Sequence, residues 1–433
     1  MLKKLNGFGW IGLCLLSLQL HAETDPNCLT MEEAAEQAIP AGNGFCTRIF
    51  GKELHVPVID RRHIRAWFAG MNLNIPAPSS RLVEPFGALY FWDRPDERKL
   101  FYGDVALFYN TLFYAEKFRG NFEWITTFEN FTVPFQQNEI VDGRKQRDEE
   151  IMWGYVRPGF GLGWRRQVAP YHNDNMAAVN LTVEPGYLYF ADSAAGNGFR
   201  DPSSTFETRV HLRLRWDALT RNILSLPQEG FTLGGEAFYG HRFRWRDWGL
   251  PQDREKQGHR ESEDDYAWFS AYFLGVSGVP FVSSSRHRLL GNVHLGIGPH
   301  MDRFSHTPST RPMGGFNPLG QEYHSTGFPI LPGSTLLEFY PDRYAIVEGE
   351  YRYQLTFFSA LSVYGGIGYL NTQRDLAGRI DRQNTEMPFV GGRLVTGFFG
   401  ETVLTLDYAH NFGLRRKETG YGNQVVLSIS GQF

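Results

Sequence analysis

The chain has 433 residues, a formal charge of −4, 15 % aromatic residues and 47 glycines, with a mean hydropathy of −0.35. A near-neutral balance excludes a nucleic-acid partner, and no apolar run after Leu20 reaches the roughly 20 residues that a transmembrane helix needs. Aromatics and glycines at this level suit a membrane β-barrel, where aromatic girdles mark the two interfaces and glycines relieve crowding in the wall.

Residues 1–22 read as a signal peptide. Lys3 and Lys4 form a basic start, an apolar core runs from Trp10 to Leu20, and His21-Ala22 places cleavage after Ala22. Cys14 lies inside that core, ahead of Leu15 and Leu16, and is a poor lipoprotein cysteine. Cys28 and Cys46 remain, and in an oxidising periplasm they are expected as a disulfide. Between them LTMEEAAEQAI (Leu29 to Ile39) has helix-forming composition, and PAGNGFC (Pro40 to Cys46) stops it. Residues 23–60 are therefore a short periplasmic segment or plug, or a stapled leader ahead of the first strand.

From residue 61 to 433 the chain reads as strands and turns. Amphipathic runs fall near 87–94, 101–110, 121–134, 151–166, 177–192, 204–217, 230–246, 265–281, 286–302, 344–355, 359–370, 388–399, 402–412 and 422–433, with weaker ones at 62–75 and 112–118. Bacterial single-chain barrels favour even strand numbers, so the expectation is an all-β, transmembrane antiparallel barrel of about 16 strands. In Phe206 to Asp217 one face carries Glu207, Arg209, His211, Arg213, Arg215 and Asp217. In Val347 to Leu355, Glu348, Glu350, Arg352 and Gln354 share a face. A lipid-facing Arg or Lys at mid-membrane costs about 2–4 kcal/mol, so these faces must look into the lumen. Arg209, Arg213, Arg215, Glu236, Glu350 and Arg352 are the candidate lumen-lining charges. The arginine row either steers an anionic solute or pairs with acids such as Glu236, Glu348 and Glu350. The last strand, GNQVVLSISGQF, alternates apolar Val425, Leu427 and Ile429 with polar residues, broken by Val426, and ends on Phe433. A terminal aromatic of this kind is the usual assembly signal of an outer-membrane barrel.

Several segments carry a resemblance. RLRWDALTRNILSLPQEGF (213–231) places Asp217, Asn222, Pro227, Gly230 and Phe231 across a short turn. MGGFNPLG (Met313 to Gly320), EYRYQL (Glu350 to Leu355), FVGGRLVTGFF (Phe389 to Phe399) and VLTLDYAHNF (Val403 to Phe412) follow in order. Together they resemble the BamA/TamA family of outer-membrane assembly and secretion barrels, the bacterial surface antigen superfamily, from about residue 200 to the end. The resemblance implies a role in inserting or exporting outer-membrane protein or lipid. It also implies a long sixth loop that enters the lumen, here carrying Gly314, Gly315, Leu319, Gln321 and Glu322. Two departures accompany it. Only about forty residues precede the barrel where the family carries periplasmic POTRA repeats, and the arginine of the loop's Arg-Gly-aromatic tip is absent, the chain reading Gly320, Gln321, Glu322 and Tyr323. Gln321, Glu322 or His324 meeting Arg213 or Arg215 is the expected substitute anchor.

No catalytic chemistry is expected. His324-Ser325 beside Glu322 are neighbours in sequence only, and no Gly-x-Ser-x-Gly element is present. His287, His294, His300 and His306 lack ligand spacing, so neither metal nor cofactor is expected. The expected partners are outer-membrane lipid, the general barrel-assembly machinery for the chain's own insertion, and a periplasmic protein standing in for the repeats. Three roles stay open: assembly or export, a passive or anion-preferring pore, and a structural surface protein with a plugged lumen. The expected location is the cell outer membrane.

Overall fold

In the computed structural model the described residues are 28–78, 82–132, 136–146, 150–191, 198–249, 264–307, 310–314, 328–376, 379–398, 402–416 and 418–432. Residues 1–27, which include the expected signal peptide, and Phe433 lie outside them. The barrel strands are β1 (His63–Ile75), β2 (Val83–Asp93), β3 (Lys99–Ala106), β4 (Tyr109–Arg119), β5 (Phe122–Thr132), β6 (Met152–Gln167), β7 (Met176–Ala191) and β8 (Thr205–Arg221). They continue as β9 (Pro227–Arg242), β10 (Asp265–Gly278), β11 (His287–Ile297), β12 (Arg343–Thr356), β13 (Ser359–Leu376), β14 (Arg379–Phe398), β15 (Thr402–Asn411) and β16 (Gly422–Gln432). Each pairs antiparallel with its chain neighbours, and β16 closes on β1 from Asn423↔Ile75 to Gln432↔Ala66, giving a closed barrel of 16 strands.

Strand alternation turns this ring into two surfaces. Outward positions of β7 (Val179, Leu181, Val183) and β8 (Val210, Leu214, Trp216) are exposed, as are Leu427 and Ile429 of β16. Inward positions are polar or charged and buried: Glu207, Arg209, His211 and Asp217 on β8, Glu350, Arg352 and Gln354 on β12. An apolar exterior around a charged interior is stable in lipid and unstable in water, because the exposed side chains would remain hydrated. Val426, the residue that breaks the last strand's polar parity, is inward and buried.

β1 begins and β16 ends at the same end of the barrel, here called the terminal end. Connections there are short, while the β5–β6, β7–β8, β9–β10 and β11–β12 connections at the far end are long. The run expected at 101–110 is divided in the structure: the chain turns at Leu107-Phe108, ending β3 and starting β4. β13 and β14 extend beyond the expected runs, joined past the apolar belt by polar pairs such as Thr372↔Gln383 and Asn371↔Asn384.

The N-terminal segment caps part of the terminal rim. Strands Leu29–Thr30, Phe45–Ile49 and Lys52–Val56 form one small sheet, and the Cys28–Cys46 disulfide ties its two halves. The helix is Met31–Glu36, shorter than the composition suggested. Thr30 caps it, accepting from Glu33 N–H at 3.1 Å while the Glu33 carboxylate accepts from Thr30 N–H at 2.7 Å. Glu36 then accepts from the Ser284 hydroxyl and the Ser285 N–H, both at 2.7 Å, and Phe45 packs edge-on against Phe357 at 5.3 Å. The segment is therefore seated on the β10–β11 and β12–β13 turns.

Candidate functional site

The inward face of β8 organises the lumen. Arg157 of β6 donates to Glu207 of β8 through Nε at 2.8 Å and lies 3.3 Å from Glu129 of β5. Arg209 reaches Glu129 at 3.1 Å and Glu184 of β7 at 2.8 Å. His211 stands between Glu184 and Glu236 of β9, 3.1 Å from each. Arg242 of β9 completes the chain, 3.6 Å from Glu207 and 2.7 Å from Asp302 in the β11–β12 connection. The charges alternate in sign from β5 to β9, so each is held by an opposite neighbour. That alternation offsets the cost of removing them from water, several kcal/mol per ion.

Glycines make the long reaches feasible. Arg157 bonds a residue two strands away by passing over Gly186 of β7, where a Cβ would lie 2.6 Å from Arg157 Cγ. Tyr266 of β10 passes over Gly240 of β9, where a Cβ would lie 2.3 Å from its ring, and donates to Glu207 at 2.8 Å. On the opposite wall Arg352 donates to Glu350 at 3.0 Å and to the Pro227 carbonyl at 2.7 Å, and Arg393 donates to Asp407 at 2.5 Å.

The turn after β8 spans residues 222–226: of the residues read as lying across it only Asn222 does so, Asp217 belonging to β8 and Pro227, Gly230 and Phe231 to β9. Asn222 accepts from Leu224 N–H at 3.0 Å and Leu226 N–H at 3.1 Å, and donates to Gln354 at 3.1 Å. Arg352 and Gln354 of β12 thus bond the start of β9 and this turn, so two segments far apart in sequence meet at the terminal end.

The β11–β12 connection enters the barrel. Of its described residues, Met301 to Thr307, Thr310, Arg311 and Leu331 to Thr335 are buried. Near its start Asp302 takes two bonds from Arg242, and Phe304 sits among Phe190, Trp248 and Trp153 at 4.8, 5.0 and 5.1 Å. Near its end Gly333 N–H donates to Gln424 at 2.9 Å, Asn411 donates to the Pro332 carbonyl at 2.8 Å, and Glu338 pairs with Arg416. The first anchor is on β9 and the second set is on β15, β16 and the turn joining them, nearly half the ring away. A segment bonded to both must cross the lumen. The β5–β6 connection joins it, with Glu139 3.8 Å from Arg303 and Asp142 2.6 Å from Arg374 on β13.

Of the charges read from sequence, Arg209 is fully buried, Glu350 and Arg352 nearly so, and Arg213, Arg215 and Glu236 line an internal cavity. Glu236 meets His211; it is Glu184 that gathers Arg209, His211 and, at 3.4 Å, Arg213. Gly314 lies in a short strand, Met313–Gly314, that pairs in parallel with Ile330–Leu331. Gly315, Leu319, Gln321, Glu322, His324 and Ser325 lie outside the described residues. The anchors that are described, Asp302 and Glu338, were not singled out from sequence, nor were Glu129, Arg157, Glu184 and Arg242. Among the described residues the one grouping within metal-ligand distance is Cys28, Cys46 and Glu53, and its two thiols are joined in the disulfide.

Fold and lumen together define a 16-stranded membrane-type barrel with a charged interior crossed by its own loop. No family model matches the chain, and no curated protein matches it. Among solved structures it is similar to BamA from Haemophilus ducreyi lacking POTRA domains 1–3, at 10 % identity and TM-score 0.49 over 93 % of this chain and 77 % of that one. CdiB from Acinetobacter baumannii is similar at 10 % identity and TM-score 0.46, over 92 % of this chain and 67 % of that one. CdiB from Escherichia coli gives 10 % identity and TM-score 0.46, over 93 % of this chain and 69 % of that one.

Proposed function

We propose that the chain is an outer-membrane barrel that assists insertion or export of outer-membrane protein or lipid, working with its lumen closed by the β11–β12 connection. The observation that carries the reading is the crossing of that connection from Arg242 to Arg416, which a passive pore would not need. The motifs around Asn222 and Arg352, which resemble the BamA/TamA family and meet in space, support it. In this reading the terminal end faces the periplasm, lipid surrounds the apolar wall, and the general assembly machinery inserts the chain. The stapled segment 28–58 then lies where a periplasmic protein partner would dock, and no catalytic step is involved.

The test is deletion followed by an inventory of outer-membrane proteins and surface lipids. Loss of a defined set of proteins or of one lipid class is the expected result. A second reading, a structural surface protein with a plugged lumen, is favoured by the continuous pairing of charges from Glu129 to Asp302. Unchanged protein and lipid inventories would support that reading and reject the first.

A further inference from the structure

The lumen is not filled evenly. Beneath Thr307 and Phe328 of the inserted connection, a cavity of about 220 Å³ remains between β2–β5 on one side and β7–β10 on the other. One wall is apolar. Trp92, Tyr102 and Phe113 come from three adjacent strands and stack with ring centroids 5.6 and 4.6 Å apart, with Leu100 and Met176 beside them. The facing wall carries Arg213, Arg215 and Glu236.

The charges of this cavity do not count equally, because a guest meets only those that are uncovered. The Arg213 side chain is 33 % exposed, against 12 % for Glu236, 11 % for Glu129, 3 % for Glu184 and 1 % for Glu123. Those acids already have basic partners: Glu123 has Arg165, Glu129 has Arg157 and Arg209, Glu184 has Arg209 and His211, and Glu236 has His211. Asp104 is 2 % exposed and accepts from the Thr111 hydroxyl at 3.1 Å. Arg215 is spent on Asp217 at 2.9 Å. Arg213 makes one hydrogen bond, 3.4 Å to Glu184, a carboxylate that is already engaged twice over, and stands opposite Glu236 in the β8–β9 register. A guanidinium carries several N–H donors in a planar fork, so the donors left on Arg213 open onto the cavity.

We propose that this cavity binds a small organic anion, its carboxylate on Arg213 and an apolar body of about one aromatic ring against the Trp92–Tyr102–Phe113 stack. Size sets the body: an apolar cavity of about 150 Å³ holds benzene, so 220 Å³ takes a ring with a short acidic arm. Charge sets the head: a carboxylate forms paired, charge-assisted hydrogen bonds with a guanidinium, which an alcohol or an amine cannot. An anion without the apolar body would leave the aromatic side of the cavity unfilled.

The experiment is isothermal titration of the full-length protein in lipid nanodiscs with 3-phenylpropionate, 3-phenylpropan-1-ol, 3-phenylpropylamine and inorganic phosphate. Phenylpropionate is expected to saturate one site, with the other three about tenfold weaker or undetected. Arg213→Gln and, separately, the cavity-filling Ala178→Leu are each expected to weaken phenylpropionate by about tenfold while the barrel keeps its folded, heat-modifiable gel mobility. No saturable phenylpropionate binding, equal or tighter binding of the amine or phosphate, or unchanged affinity in both variants would overturn the proposal.

Discussion

Replacing Asp302 with alanine tests the anchor that holds the inserted connection at its entry. Asp302 is buried and accepts two bonds from Arg242, at 2.7 and 3.1 Å, together with the N–H groups of Phe304 at 2.9 Å and Ser305 at 2.8 Å. Removing one partner of a buried ion pair costs about 3–5 kcal/mol, because the other charge is left without compensation. Here Arg242 keeps Glu207 at 3.6 Å and the rings of Trp245 and Tyr266 at 4.4 and 4.7 Å, which places the effect near the lower end, about 3 kcal/mol. At about 1.4 kcal/mol per tenfold, local opening becomes roughly a hundredfold more frequent. Hydrogen exchange of the peptide spanning 301–307 in nanodiscs reads this directly. Exchange within about threefold of the parent protein would refute the reasoning. A double variant that also removes Arg242 should cost less than the two single changes added together, since the uncompensated guanidinium is gone.

Gly186→Ala and Gly240→Ala should each lower the temperature at which the barrel loses heat-modifiable mobility, because a Cβ there meets Arg157 or Tyr266 at 2.6 Å or less. Gly349→Ala, with nothing within 4 Å, should leave that temperature unchanged. At the rim, the Ser284 hydroxyl and Ser285 N–H hold the Glu36 carboxyl below its ordinary value of 4.5. Its contribution is therefore present above that value and lost as pH falls through the lowered one, so segment 28–58 should become protease-sensitive on acidification. Glu36→Gln should remove that pH dependence. The Cys28–Cys46 disulfide spans 18 residues, and closing a loop of that size stabilises by about 3 kcal/mol. Its reduction should release segment 28–58 to protease while the barrel stays folded, as seen by mass-mapped proteolysis.

The wall was legible in the sequence wherever charge recurred at every second residue. β8 and β12 declared their inward faces because Glu207 to Asp217 and Glu348 to Gln354 leave no other placement in lipid. β6 and β7 did not, because Arg157 stands among glycines and aromatics and Glu184 among apolar residues, so their roles depend on neighbours two strands away. The β3–β4 turn was hidden by aromatic and apolar residues on both sides of it. Of the site, the arginine row could be read from parity, while the inward course of the long connection was implied only by the resemblance of the segments around it. The anchors could not. Asp302 and Glu338 look like ordinary loop acids until the fold brings Arg242 and Arg416 to them.

Current across a planar bilayer holding the purified full-length protein tests most directly whether the β11–β12 connection closes the lumen. With that connection held at Arg242 and Arg416, no steady, ohmic current of porin size should flow, and Asp302→Ala should introduce intermittent openings. A steady open channel in the unmodified protein would contradict the account.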